Sequence, residues 1–214
     1  VNQSYNCPAP GTDILTELEI KRSRFITHLR RVGNEDEARA FIHEIKQAYP
    51  DARHHCSAFI YHVENSNPVE RSSDDGEPSG TAGMPMLDVL RGSGLLDIAA
   101  VVVRYFGGVK LGTGGLVRAY SDATAQALSQ VTTSTRSVQD IFSVSLDHAT
   151  AGRIDAELRG RGFSIIDTEY GAEVTLSIAC QPGAGEALAG TLAGLTSGEV
   201  QPRAAGQRWV ETPT

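Results

Sequence analysis

The feature that constrains this chain most is the run Ile98-Ala-Ala-Val-Val-Val103, which continues through Arg104 to Tyr105. Apolar residues at every position, most of them β-branched, suit a strand covered on both faces and do not suit an amphipathic helix. Such a strand needs a packed layer on either side. The residues that follow hold five glycines in nine positions, Gly107, Gly108, Gly112, Gly114 and Gly115. Beyond them Leu116, Tyr120, Ala123 and Ala127 recur at helical spacing, which predicts a helix over about 113–130. Buried strand, glycine-rich turn and helix form the piece around which the rest must be arranged.

The remaining pattern predicts an α+β chain of two domains, 1–134 and 135–214. After an irregular start, 14–20 and 25–32 read as a hairpin whose connection, Lys21-Arg-Ser-Arg24, is unusually basic. A helix is expected over 35–48, with Asn34 and Glu37 at capping-box spacing and Ala38, Phe41, Ile42 and Ile45 on one face. A strand follows over 56–62. Residues 64–80 read as one long loop, a length more often functional than not. The next helix is expected over 81–91, with Met84, Leu87 and Leu90 inward. Thr132-Thr-Ser-Thr-Arg136 lacks an apolar anchor and is the expected boundary. Beyond it, strand, helix, two strands, helix and strand succeed one another, the βαββαβ order of a ferredoxin-like domain.

Charge narrows the function classes. With 19 Lys and Arg against 26 Asp and Glu, the net charge is −7, which argues against whole-surface binding of nucleic acid but leaves room for a local basic patch. Six apolar residues in a row fall far short of the roughly 20 that span a bilayer, and no secretory signal is visible at the start, so a cytoplasmic protein with no membrane partner is expected. Three widely separated cysteines, Cys7, Cys56 and Cys180, read as reduced thiols.

Chemistry-bearing residues concentrate in the first domain. Glycines let backbone N–H groups converge on one point at a helix N-terminus, and Arg104, Lys110 and Arg118 bring whole charges, so the turn reads as an anion cradle. It is not a Walker loop, since Leu111 follows Lys110, nor a dinucleotide fingerprint, since Val117 stands where a glycine is needed. The alternative is that these glycines only permit tight turns. A second run, Ser73-Asp-Asp-Gly-Glu-Pro-Ser-Gly-Thr-Ala-Gly83, sets Asp74, Asp75 and Glu77 where they can pair with Arg104 and Lys110, hold a metal or move a proton, and ion pairing that orders the loop is the favoured role. His54-His55-Cys56 lacks a fourth ligand, so no metal and no cofactor are expected. A Ser79–His55–Asp75 triad has no nucleophile elbow around it. No catalytic residue is assigned.

The runs Ser73–Gly83 and Val103–Tyr120, with Lys21-Arg-Ser-Arg-Phe25 and His55-Cys-Ser-Ala58, resemble the signature of the IMPACT family and its bacterial YigZ-type branch, over roughly residues 10–130. The resemblance implies an N-terminal βαβα domain similar to the fourth domain of elongation factor G and to ribosomal proteins. It also implies a C-terminal domain like that factor's ferredoxin-like fifth domain. For eukaryotic members it implies regulation of translation initiation under stress, with an RWD extension that does not precede the matched region here.

Two functions are therefore expected. The first is a noncatalytic binding protein linked to translation, with RNA, the ribosome or a translation factor as partner. Its site would be Arg104, Gly107, Gly108, Lys110, Gly112, Gly114, Gly115 and Arg118, extended by Lys21, Arg22 and Arg24, with Tyr105 and Phe106 as candidates for base stacking or, equally, for the core. The alternative is an enzyme acting on a small phosphorylated or nucleotide substrate through Asp74, Asp75 and Glu77.

Overall fold

A computed structural model describes residues 4–214. The chain divides into two compact units. One runs up to Thr135 and takes in Thr212–Thr214, and the other is Arg136–Glu211.

The first unit opens on a short strand, β1 (Ser4–Pro8), where the sequence reads as irregular. The hairpin of β2 (Asp13–Ile20) and β3 (Ser23–Arg31) follows, then helix α1 (Glu35–Ala48) and strands β4 (His54–Tyr61) and β5 (Val69–Ser73). Helix α2 (Gly83–Gly92), strand β6 (Ile98–Tyr105) and helix α3 (Gly112–Leu128) complete it. Strands β2 to β6 form one sheet in the order β2-β3-β6-β4-β5, antiparallel at every step.

Strand β6 lies at the centre, and its side chains alternate between two cores. Ile98, Ala100 and Val102 pack with Phe25, Leu29 and Cys56 beneath α2 and α3, through Leu87, Leu90, Leu116 and Tyr120. Ala99, Val101 and Val103 pack with Ile26 and Phe59 against Ala38, Phe41 and Ile45 of α1. The double burial expected of this run thus comes from one helix on one face and two on the other. Helix α1 begins as its spacing predicts: the Asn34 side chain accepts the Glu37 N–H at 2.9 Å, and the Glu37 carboxylate accepts the Gly33 N–H at 2.6 Å.

Two local expectations are corrected. Residues 64–80 are not one loop, because Val69–Ser73 pairs with β4 as the edge strand β5. In α2 the inward residues are Met86, Leu87 and Leu90, whereas Met84 is exposed; the helix starts at Gly83, which sets Met84 on the solvent side of its first turn. Strand β7 (Thr133–Leu146) begins within the polar stretch 132–136, and the two units divide after Thr135.

In the second unit β7 leads into helix α4 (His148–Gly160), strands β8 (Ser164–Tyr170) and β9 (Val174–Cys180), helix α5 (Gly185–Thr196) and strand β10 (Arg203–Pro213). The strands lie in the order β7-β9-β8, with β10 also on β7, and β9 is antiparallel to both neighbours. This is the ferredoxin-like plan. Its core joins Val144, Leu146, Leu176 and Ile178 of the sheet to Ile154, Leu158, Leu188 and Leu192 of the helices.

Candidate functional site

The basic hairpin and the glycine-rich turn meet. Lys21 and Arg22 form the two-residue connection between β2 and β3, and both adopt left-handed backbone (φ 47° and 66°). A turn of this kind normally takes Asn-Gly, whose side chains tolerate that region. Directly against it lies Gly107: a Cβ there would fall 2.0 Å from the Arg22 carbonyl carbon and 2.2 Å from its oxygen. The Gly107 N–H donates to Ser23 Oγ at 3.2 Å. Gly107 is thus fixed by close backbone approach, and two exposed cations are held beside the start of the glycine-rich turn.

At the far end of that turn, α3 starts without a side-chain cap and without an acid in its first turn, Gly112-Thr-Gly-Gly115. Gly114 has open space around it. The first N–H groups of a helix have no partner inside the helix, and here no side chain supplies one. Lys110 is exposed just ahead of them, and Arg118 is 85% exposed, 3.8 Å from Asp122.

Arg104 behaves differently from the other cations. It is only 8% exposed, and its Nη1 donates to Glu77 Oε1 at 2.7 Å. The Tyr120 hydroxyl donates to the same oxygen at 2.6 Å, and His54 Nε2 stands 3.9 Å from Glu77 Oε2. Burial pushes the Tyr120 hydroxyl well above its ordinary range, so it stays a donor. The pairing of His54 with Arg104 across β4 and β6, and of Phe25 with Arg104 across β3 and β6, brings these groups to one face of the sheet. Arg104 Nε is buried and has no hydrogen-bond partner.

The acidic loop is spent on structure. Asp74 Oδ1 accepts the N–H groups of Ala82 and Gly83 at 3.1 and 2.8 Å, and Oδ2 accepts that of Gly80 at 2.8 Å. Partial burial raises its carboxyl pKa, but those amides outweigh it and hold the group below its ordinary value of 3.8. Asp75 is likewise held low against burial, by Lys46 Nζ at 2.8 Å and the His55 N–H at 2.7 Å. Pairing therefore orders the loop, with Lys46 and Arg104 as partners and not Lys110. His55 Nε2 contacts the Tyr49 carbonyl oxygen at 2.7 Å and its Nδ1 lies 3.5 Å from Asp75, so the ring is tied into the α1 side and forms no triad with Ser79. The Cys56 thiol, pushed up to about 12 by burial, donates to the Asp74 carbonyl oxygen. Among the described residues no group of three or more His, Cys, Asp or Glu is placed to hold a metal ion.

A cleft of about 840 Å³ unites much of this. Its lining includes Asp51, Arg53, His54, Glu77, Arg104, Phe106, Lys110 and Thr113. No motif in the sequence marks Arg53; His54 reads there only as a metal ligand, and Phe106, a stacking candidate beside the glycine cluster, is 58% exposed. Arg24 is carried by β3 but bonds Glu17 at 2.6 Å, and its charge is matched there. Among the described residues Lys21, Arg22, Arg53 and Lys110 make no ion pair.

Comparison with known proteins places these residues in context. The Impact N-terminal domain family matches residues 21–128, and a domain of unknown function, DUF1949, matches 144–199. The chain is 40% identical to the IMPACT family member YigZ of Escherichia coli, over 90% of this chain and 94% of that protein. It is 44% identical to the IMPACT family member YvyE of Bacillus subtilis, over 74% of this chain and 72% of that one. Among solved structures, one described as the crystal structure of a hypothetical protein has a TM-score of 0.62 and 38% identity, covering 96% of this chain and 98% of its own. No helix among the described residues is long and apolar enough to cross a membrane.

Proposed function

The chain belongs to the IMPACT family, and from that membership we propose a noncatalytic, cytoplasmic binding protein of the translation apparatus that grips RNA phosphates through the first unit. One observation carries the reading. On a chain of net charge −7, Lys21 and Arg22 at the hairpin turn and Arg53 and Lys110 at the cleft, which make no ion pair among the described residues, lie around an uncapped helix start. Helix N-termini and cations are the groups that position phosphates, and they do so without reading bases. Arg24 leaves the list of phosphate contacts, since it spends its charge on Glu17, and Arg104 gives its Nη1 to Glu77 and keeps only its buried Nε uncommitted. Lys110, Lys21 and Arg22 remain, with Arg118, whose contact to Asp122 is long at 3.8 Å and open to solvent. The enzyme alternative loses support, because Asp74 and Asp75 are consumed by amides and Lys46.

The test is co-sedimentation with ribosomes and binding of labelled RNA across a salt series, using the wild type and Lys110→Ala/Arg118→Ala. Salt-sensitive binding that the double variant loses is expected. Absence of binding at low salt would overturn the reading.

A further inference from the structure

We propose that the cleft of the first unit is built for a nucleotide carrying a terminal phosphate monoester, either a free nucleoside monophosphate or the phosphorylated end of an RNA. The inference rests on the RNA-binding reading and narrows it from any phosphate backbone to a chain end.

Four observations converge on it. First, Phe106 is 58% exposed at the cleft, and the Arg104 guanidinium lies 5.7 Å from its ring centroid. An aromatic ring backed by a cation and open to solvent is a stacking platform for a base. Second, Arg104 lines the cleft with a buried Nε that has no partner, while its Nη1 is committed to Glu77. A buried donor without an acceptor is costly, and a ligand oxygen that reached it from the cleft Arg104 lines would remove that cost. Third, Thr113 and Gly112 at the start of α3 form part of the same wall, and the uncapped N–H groups there favour negative charge. Fourth, the lining charges do not cancel. Arg53, Arg104 and Lys110 outnumber Glu77 and Asp51, and among the described residues Arg53 and Lys110 have no ion-pair partner.

A monoester suits this arrangement better than a diester. Its phosphate carries close to two charges near pH 7 and offers three free oxygens to donors converging from several directions. An internal phosphodiester has one charge and two free oxygens, and its chain must enter and leave. The cleft volume of about 840 Å³ falls in the range of small-molecule sites, roughly 300–1,000 Å³.

The experiment measures binding of four probes to the full chain: AMP, inorganic phosphate, a pentaribonucleotide phosphorylated at one end, and the same oligonucleotide with hydroxyls at both ends. Phosphorylation at either the 5′ or the 3′ end is expected to tighten binding at least about tenfold, consistent with a charge-assisted contact, and AMP is expected to compete. Gly114→Asp sets a carboxylate in open space on the first turn of α3, where an acid favours the helix. That variant should keep its thermal stability and lose the preference. Phe106→Ala should weaken AMP and leave inorganic phosphate unchanged. Equal affinity for phosphorylated and hydroxyl-ended oligonucleotides would overturn the proposal and leave the RNA reading standing. Binding of AMP with no binding of any oligonucleotide would uphold the site and overturn the RNA reading. No binding of any probe at low salt would overturn both.

Discussion

At the scale of single residues, Gly107 and Asp74 carry the most testable consequences. A Cβ at Gly107 meets backbone atoms, which cannot swing aside as a side chain tip would. Overpacking of this kind costs about 1–3 kcal/mol, so Gly107→Ala should lower stability at the upper end of that range, read by chemical denaturation. It should also spread the hairpin turn from the cleft and weaken RNA binding. Asp74 makes a pH prediction. Its carboxyl is ionised more readily in the folded protein than its ordinary value of 3.8 allows, because three amides bond the charged form. Stability from that group is fully present above the ordinary value and is lost as pH falls through the depressed one. The stability gap between wild type and Asp74→Asn should therefore be constant near neutrality and shrink in acid. Individual partners were only partly legible beforehand. That Glu77 pairs with Arg104 follows from a fold that brings residues 27 positions apart together, and the sequence offered Lys110 equally.

At the scale of elements, the hairpin connection sets stability against binding. Two non-glycine residues in left-handed backbone cost roughly 1–2 kcal/mol each. Replacing them as Lys21→Asn/Arg22→Gly should raise the melting temperature, because Asn-Gly suits such a turn, and should weaken RNA binding by removing two cations. Stability and affinity moving in opposite directions would mark the turn as strained in the service of its charge; loss of both would mark it as structural only. The elements themselves differ in how well they could be read. Strand β6 and helix α1 announce themselves through continuous burial and a 3.6-residue period, and the structure contains both close to the expected bounds. Strand β5 does not, because Val-Glu-Arg-Ser-Ser has no alternation and its pairing comes from β4 alone. Helix α2 starts two residues later than its spacing predicts, because the Asp74 carboxylate accepts the Ala82 and Gly83 N–H groups from outside the helix, a partner that the local sequence does not show.

At the scale of the whole molecule, electrostatics decides how the protein meets a polyanion. A body of net charge −7 repels RNA at long range, and attraction must come from local groups of cations. If Lys21, Arg22, Lys110 and Arg118 each neutralise one phosphate, the slope of log K against log salt should be about −3 for single strands. Lys110→Ala/Arg118→Ala should halve it, measurable by anisotropy titration between low and physiological salt. The division into two units has a different kind of consequence. Thr212–Thr214 belongs with the first unit, where the Thr214 N–H bonds the Thr133 carbonyl oxygen at 3.2 Å, yet in the chain it follows all of Arg136–Glu211. During synthesis the first unit therefore cannot close that bond until the whole of the second has been translated. A chain stalled anywhere within the second unit would hold a first unit with the hairpin and cleft formed but this contact unmade, and timed proteolysis of such stalled chains would reveal the open form.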